Sequence, residues 1–131
     1  MHTKQEIYHL ARVAERLESD GVKEAFLLMV TTLYRGKGYR LRPASQGAFS
    51  VLQIRISEKN CFAFKGAKSH LRFYFRKPCF DAGYCDEHVI FERFPKAEKV
   101  QGFEVALNVE TFDDANDLLV FLKRSCFSLL T

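Results

Sequence analysis

In the first eighteen residues, "MHTKQEIYHLARVAERLE", apolar side chains recur at intervals of three and four: Ile7, Leu10, Ala11, Ala14 and Leu17. That spacing predicts an amphipathic helix. Thr3 and Glu6 form a T-x-x-E capping box at its start, and Gly21 is expected to end it. A second helix is predicted from Val22 to about Arg35, through "VKEAFLLMVTTLYR". It is apolar over most of its circumference and should be covered on more than one side. It should stop at "GKG", where glycine accepts a left-handed exit.

From Tyr39 the period changes to two. "SVLQIRIS" alternates Leu52, Ile54 and Ile56 against Val51, Gln53 and Arg55. "CFAFKG" sets Phe62 and Phe64 against Cys61, Ala63 and Lys65, and "LRFYFRK" sets Leu71, Phe73 and Phe75 against Arg72, Tyr74 and Arg76. "HVIFERF" and "GFEVALNVE" read as further strands, the latter with Phe103, Val105, Leu107 and Val109 on one face. The short connections "SEKN" and "GAKS" suit antiparallel hairpins. Thr111 then looks like the N-cap of a last helix, with Asp113 and Asp114 in its first turn and Lys123 and Arg124 in its last. Together these elements predict one α+β domain over residues 1–131. Its expected core is an antiparallel five- or six-stranded meander sheet, with two N-terminal helices and one C-terminal helix packed on one face.

Composition changes this picture little. A chain of 131 residues with 47% hydrophobic and 27% charged positions is an ordinary single domain. Thirteen phenylalanines and no tryptophan imply a core filled by rings that carry no polar atom. No apolar run approaches the roughly 20 residues of a membrane span. The charged, helical beginning does not read as a signal peptide. A cytoplasmic protein with no membrane partner is expected, with Cys61, Cys79, Cys85 and Cys126 reduced.

Charge is more informative in its distribution than in its sum of +4. Residues 35–77 hold eleven Lys or Arg against Glu58 alone, whereas residues 78–117 hold ten acids against Arg93, Lys96 and Lys99. The chain is electrically bipolar along its length.

The densest gathering of chemical side chains is "PCFDAGYCDEH", residues 78–88. Zinc ligands usually come as close pairs, C-x(2–4)-C or H-x(3–5)-H. Cys79, Cys85 and His88 are instead spaced C-x5-C-x2-H with no second pair, although Asp81, Asp86 or Glu87 could add an oxygen. The segment is therefore expected to be a connection between strands, neither a metal site nor a cysteine–histidine catalytic pair. "KGAKSH" lacks the spacing and the strand-to-helix context of a P-loop, and no G-x-S-x-G, H-E-x-x-H or dinucleotide fingerprint occurs. The acid pairs Asp86–Glu87 and Asp113–Asp114 are adjacent in sequence, so their side chains diverge or cap a helix. No catalytic residue and no cofactor is expected.

The alternation itself supplies the better candidate. If Leu71, Phe73 and Phe75 face the helices, then Arg72, Tyr74 and Arg76 face away, together with Arg55 and Lys65. An aromatic ring among cations on a flat sheet can stack a base while the cations hold phosphates. "RGKGYRLR", residues 35–42, adds four more cations. Against this, Glu92 and Glu104 could sit across from the arginines and neutralise them. The expected function is a non-enzymatic binding module for nucleic acid or another polyanion. A second reading is a homodimer or protein-interaction module, with an acidic protein among its partners. It rests on "LLVFLKRSCFSLL" and on Phe26, Met29, Val30 and Leu33. A third is a small-molecule site or small enzyme with a phenylalanine-lined pocket.

Overall fold

A computed structural model describes residues 4–34, 40–43 and 51–126. Thr3 of the capping box, all of "RGKGY" and the apolar end Phe127, Leu129 and Leu130 lie outside the described residues. The chain opens with helices α1 (Lys4–Arg16) and α2 (Asp20–Tyr34). Strands β1 (Arg40–Pro43), β2 (Val51–Ile56), β3 (Lys59–Gly66) and β4 (Leu71–Phe75) follow. Two short helices, α3 (Lys77–Asp81) and α4 (Glu87–Arg93), precede β5 (Glu98–Val100) and β6 (Glu104–Val109), and α5 (Phe112–Ser125) comes last. None of the described helices is long and apolar enough to cross a membrane.

The fold is α+β, with one antiparallel sheet in the order β1-β2-β3-β4-β6-β5. The expected meander holds through β4. The chain then leaves the sheet and returns at the far edge, so that β6 lies against β4 and β5 outside it. The predicted alternation decides the inner face. Leu52, Ile54, Phe62, Phe64, Phe73 and Phe75 are almost completely buried. The Phe73 and Phe75 rings meet edge-on at 5.1 Å, and Phe62 reaches both at 5.9 Å. Burying each ring fully is worth roughly 1.5–3 kcal/mol relative to exposure. Helices cover this face: Phe26 of α2 contacts Phe64 at 6.4 Å, and Phe121 of α5 contacts Phe75 at 6.1 Å.

Three local expectations are corrected. Gly21 does not end the first helix. It lies in the first turn of α2, where a Cβ would come within 3.1 Å of the Glu110 carbonyl oxygen, so its smallness serves close packing. "HVIFERF" is not a strand but α4. Asp86 starts it by accepting from the His88 backbone N–H at 2.8 Å, and Ile90, Phe91 and Phe94 then fall on one helical side. Phe103 does not join Val105, Leu107 and Val109 in the core but stands exposed before β6. The N-cap at Thr111 stands as read: its Oγ1 accepts from the Asp114 N–H at 3.1 Å, and Asp114 Oδ2 accepts from the Glu110 N–H at 3.0 Å.

Candidate functional site

On the outer face, register places the predicted residues in neighbouring rows. One row runs Gln53, Ala63, Tyr74, Ala106 and Glu98 across β2, β3, β4, β6 and β5. The next runs Lys65, Arg72 and Asn108 across β3, β4 and β6. At the basic edge, Arg40 and Arg42 stand in register opposite Arg55 and Gln53. Cations therefore gather on β2, β3 and β4 and acids on β5 and β6, so the bipolar chain becomes a bipolar sheet face.

Tyr74 occupies the middle of this lattice. Its register neighbours Ala63 and Ala106 carry small side chains, and both are buried. Lys65 Nζ lies 5.9 Å and the Arg72 guanidinium 5.8 Å from the ring centroid, both within cation–π range. Lys65 is exposed, and Tyr74 and Arg72 are half-buried. Lys65 has no carboxylate partner among the described residues.

The two arginines of β4 are held more tightly. Arg72 Nη1 donates to Asn108 Oδ1 at 2.8 Å, with the Glu98 carboxylate 3.9 Å from its other nitrogen. Arg76 Nε donates to Glu104 Oε2 at 2.9 Å in a half-buried ion pair. Asn60, oriented to satisfy its neighbours, accepts from Arg76 and, at 3.1 Å, from Gln53, while donating to the Phe62 carbonyl at 3.0 Å. Arg55 closes this end, donating to Gln53 Oε1 at 3.1 Å and to the Glu58 carbonyl at 2.5 Å. Of the two acids expected opposite the arginines, Glu104 is there, whereas Glu92 belongs to α4.

Sequence reading did not reach Glu98, Asn108 or Asn60. Glu98 sits on a three-residue strand too short to show a period. Asn60 is placed by a register shift between Ile54 and Arg55 that no residue type announces.

The cysteine-rich segment resolves differently from expectation. Cys85 and Cys126 form a disulfide, with Cα atoms 5.5 Å apart, so the four cysteines are not all reduced. Spacing could not reveal this pair, because its partners are 41 residues apart and meet only when α5 folds back. Cys79 is buried on α3, its thiol pKa pushed up by loss of solvent, and His88 is exposed on α4. Cys79, Cys85 and His88 do not converge, and no metal-ligating cluster occurs among the described residues.

Two surface grooves flank the fold. One of about 590 Å³ is lined by Phe80, Tyr84, Cys85, Val89 and Phe121 among others, and one of about 520 Å³ lies between Phe94, Leu107 and Asp117. Of the core phenylalanines only Phe121 reaches either of these two grooves, whereas the sheet rings Phe62, Phe64, Phe73 and Phe75 pack on one another and line neither. No protein-family model, curated protein or solved structure matches this chain.

Proposed function

We propose that this domain binds single-stranded nucleic acid on the outer face of its sheet and works by binding, not catalysis. One observation carries the reading: Tyr74 lies half-exposed at the centre of that face, with Lys65 and Arg72 over its ring and buried alanines on both sides. A base can stack on such a ring without sequence preference, and the surrounding cations attract phosphates. Arg76 and Arg72 are held by Glu104, Asn108 and Glu98, which fixes their positions at the cost of part of their charge. Free attraction then falls chiefly to Lys65 and Arg55. Self-association has less support, because Phe26, Met29, Val30, Leu33 and Cys126 are buried within the chain itself.

Fluorescence anisotropy with short labelled DNA and RNA strands tests the reading. Binding should weaken steeply as salt rises, since each neutralised phosphate adds about 0.7 to the logarithmic salt slope for single strands. Lys65→Gln should lower that slope by about that amount. Tyr74→Ala should cost roughly 1–3 kcal/mol of affinity with the slope unchanged. These two positions are preferable to Arg72 and Arg76, whose loss would also leave Asn108 or Glu104 without its partner. Absence of binding to either strand at low salt would refute the proposal.

A further inference from the structure

Along an antiparallel strand the N–H and C=O of one residue turn toward one neighbouring strand, and those of the next residue toward the other. The Arg76 N–H donates to the Cys61 carbonyl at 2.9 Å, which fixes this alternation in the sheet. The backbone groups of Arg72, Tyr74 and Arg76 therefore face β3, and those of Leu71, Phe73 and Phe75 face β6. By register, Val105, Leu107 and Val109 bond to β4, while Ala106 and Asn108 turn their backbone groups the opposite way. Glu98 of β5 meets Ala106, and the pairing ends there. Were β5 longer toward its start, Lys96 would stand opposite Asn108. The chain instead bends between Phe94 and Ala97, where the Ala97 N–H donates to the Phe94 carbonyl at 3.0 Å. The Asn108 N–H and C=O thus have no backbone partner among the described residues. Unpaired edge groups of this kind are a template for another strand.

The groove of about 520 Å³ opens along this stretch, with Leu107, Asn108 and Val109 on one side and Phe94 and Pro95 across from them. Its charge is the reverse of the basic half of the sheet: Glu98, Glu110, Asp114 and Asp117 line it against Arg93 and Lys96. Asp117 pairs with Arg93 at 3.8 Å, Glu98 lies 3.9 Å from Arg72, and Asp114 accepts from the Glu110 N–H. The Glu110 carboxylate is exposed and has no cationic partner among the described residues. A net negative lining of this kind repels phosphate and attracts amines. We propose that the groove receives an extended segment of a partner protein, bearing Lys or Arg, which adds beside β6 as a further strand. Main-chain bonds to Asn108 set its register, Leu107 and Phe94 meet its apolar side chains, and Glu110 meets a cation. The Asn108 side chain stays on Arg72, so the groove is separate from the nucleic-acid reading of the outer face and does not depend on it.

The test uses the peptide Lys-Val-Lys-Val-Lys, blocked at both ends, titrated at low salt into isotope-labelled protein and followed by amide NMR. Its controls are Glu-Val-Glu-Val-Glu and the lysine peptide N-methylated at every residue, which has no main-chain donor. In the free protein the Asn108 amide should exchange with deuterium faster than those of Leu107 and Val109. The lysine peptide should shift the Asn108 amide and slow its exchange. N-methylation should weaken binding about tenfold or more, the scale of a lost main-chain hydrogen bond. Glu110→Gln should weaken it about threefold, as for one exposed charge pair, with the melting temperature unchanged. Failure of the lysine peptide to bind, or binding that leaves the Asn108 amide unmoved, would overturn the proposal. Equal affinity for the glutamate or the N-methylated peptide would overturn it as well. An Asn108 amide that shifts with protein concentration alone would overturn it in favour of a second copy of this chain.

Discussion

Cys61 and Cys79 are free thiols with no exposed surface, and burial raises the pKa of both above the ordinary 9.0. For Cys79 the neighbouring Cys61 pushes in the same direction. The folded state therefore keeps these protons at a pH where the unfolded chain releases them. Above about pH 9 the native protein binds more protons than the unfolded one, so stability is fully present below that pH and falls as pH rises through it. Urea midpoints at pH 7 and pH 10 should differ more for wild type than for Cys61→Ala with Cys79→Ala. Equal pH dependence in the two proteins would remove the thiols as the cause. Residue type alone marked these cysteines as chemically interesting; only their surroundings make them inert, because a thiol that cannot ionise is neither ligand nor nucleophile.

Among the elements, α1 and β3 depend on a single missing side chain. A Cβ on Gly66 would lie 2.9 Å from Leu17 Cδ2 and 3.2 Å from Val13 Cγ1, both on buried residues of the α1 segment. Gly66→Ala should destabilise the protein by about 1–3 kcal/mol, the usual cost of overpacking. The penalty should shrink in a Leu17→Ala background, and chemical denaturation of the four proteins would measure the coupling. Strictly additive effects would mean that the contact is not responsible. Element types were legible wherever a period ran long enough: β2, β3 and β4 by alternation, α1 and α2 by helical spacing, α5 by its Thr111 cap. They were not legible at α4. "HVIFERF" is short and rich in β-formers, and its outcome turned on the Asp86 cap and on burial of Ile90 beneath the returning chain.

For the whole molecule, the Cys85–Cys126 disulfide joins the end of α5 to the segment before α4 across 41 residues. Closing a loop of that length removes enough unfolded-state entropy to contribute about 4 kcal/mol. Dithiothreitol, or Cys126→Ser, should lower the denaturation midpoint accordingly. Alkylation of the unreduced, unfolded protein should label the thiols of Cys61 and Cys79 only. Labelling of all four cysteines would show that the pair is open in the purified protein. Such a bond persists in oxidising surroundings and is rare in a reducing cytosol, so the same count bears on the compartment.

Alternation and helical spacing, read along the chain, were enough to determine the α+β class, the phenylalanine core and the solvent side of Arg72, Tyr74 and Arg76. Those properties follow from side-chain parity, which depends on neighbours two to four residues away. Tertiary structure alone decided that β6 enters beside β4, that Asn108 and Asn60 engage the arginines, that Cys85 meets Cys126 and that Phe103 stays outside. Each of these joins positions far apart in sequence or breaks a period at a turn, and local pattern carries no term for contacts made only after the sheet has closed.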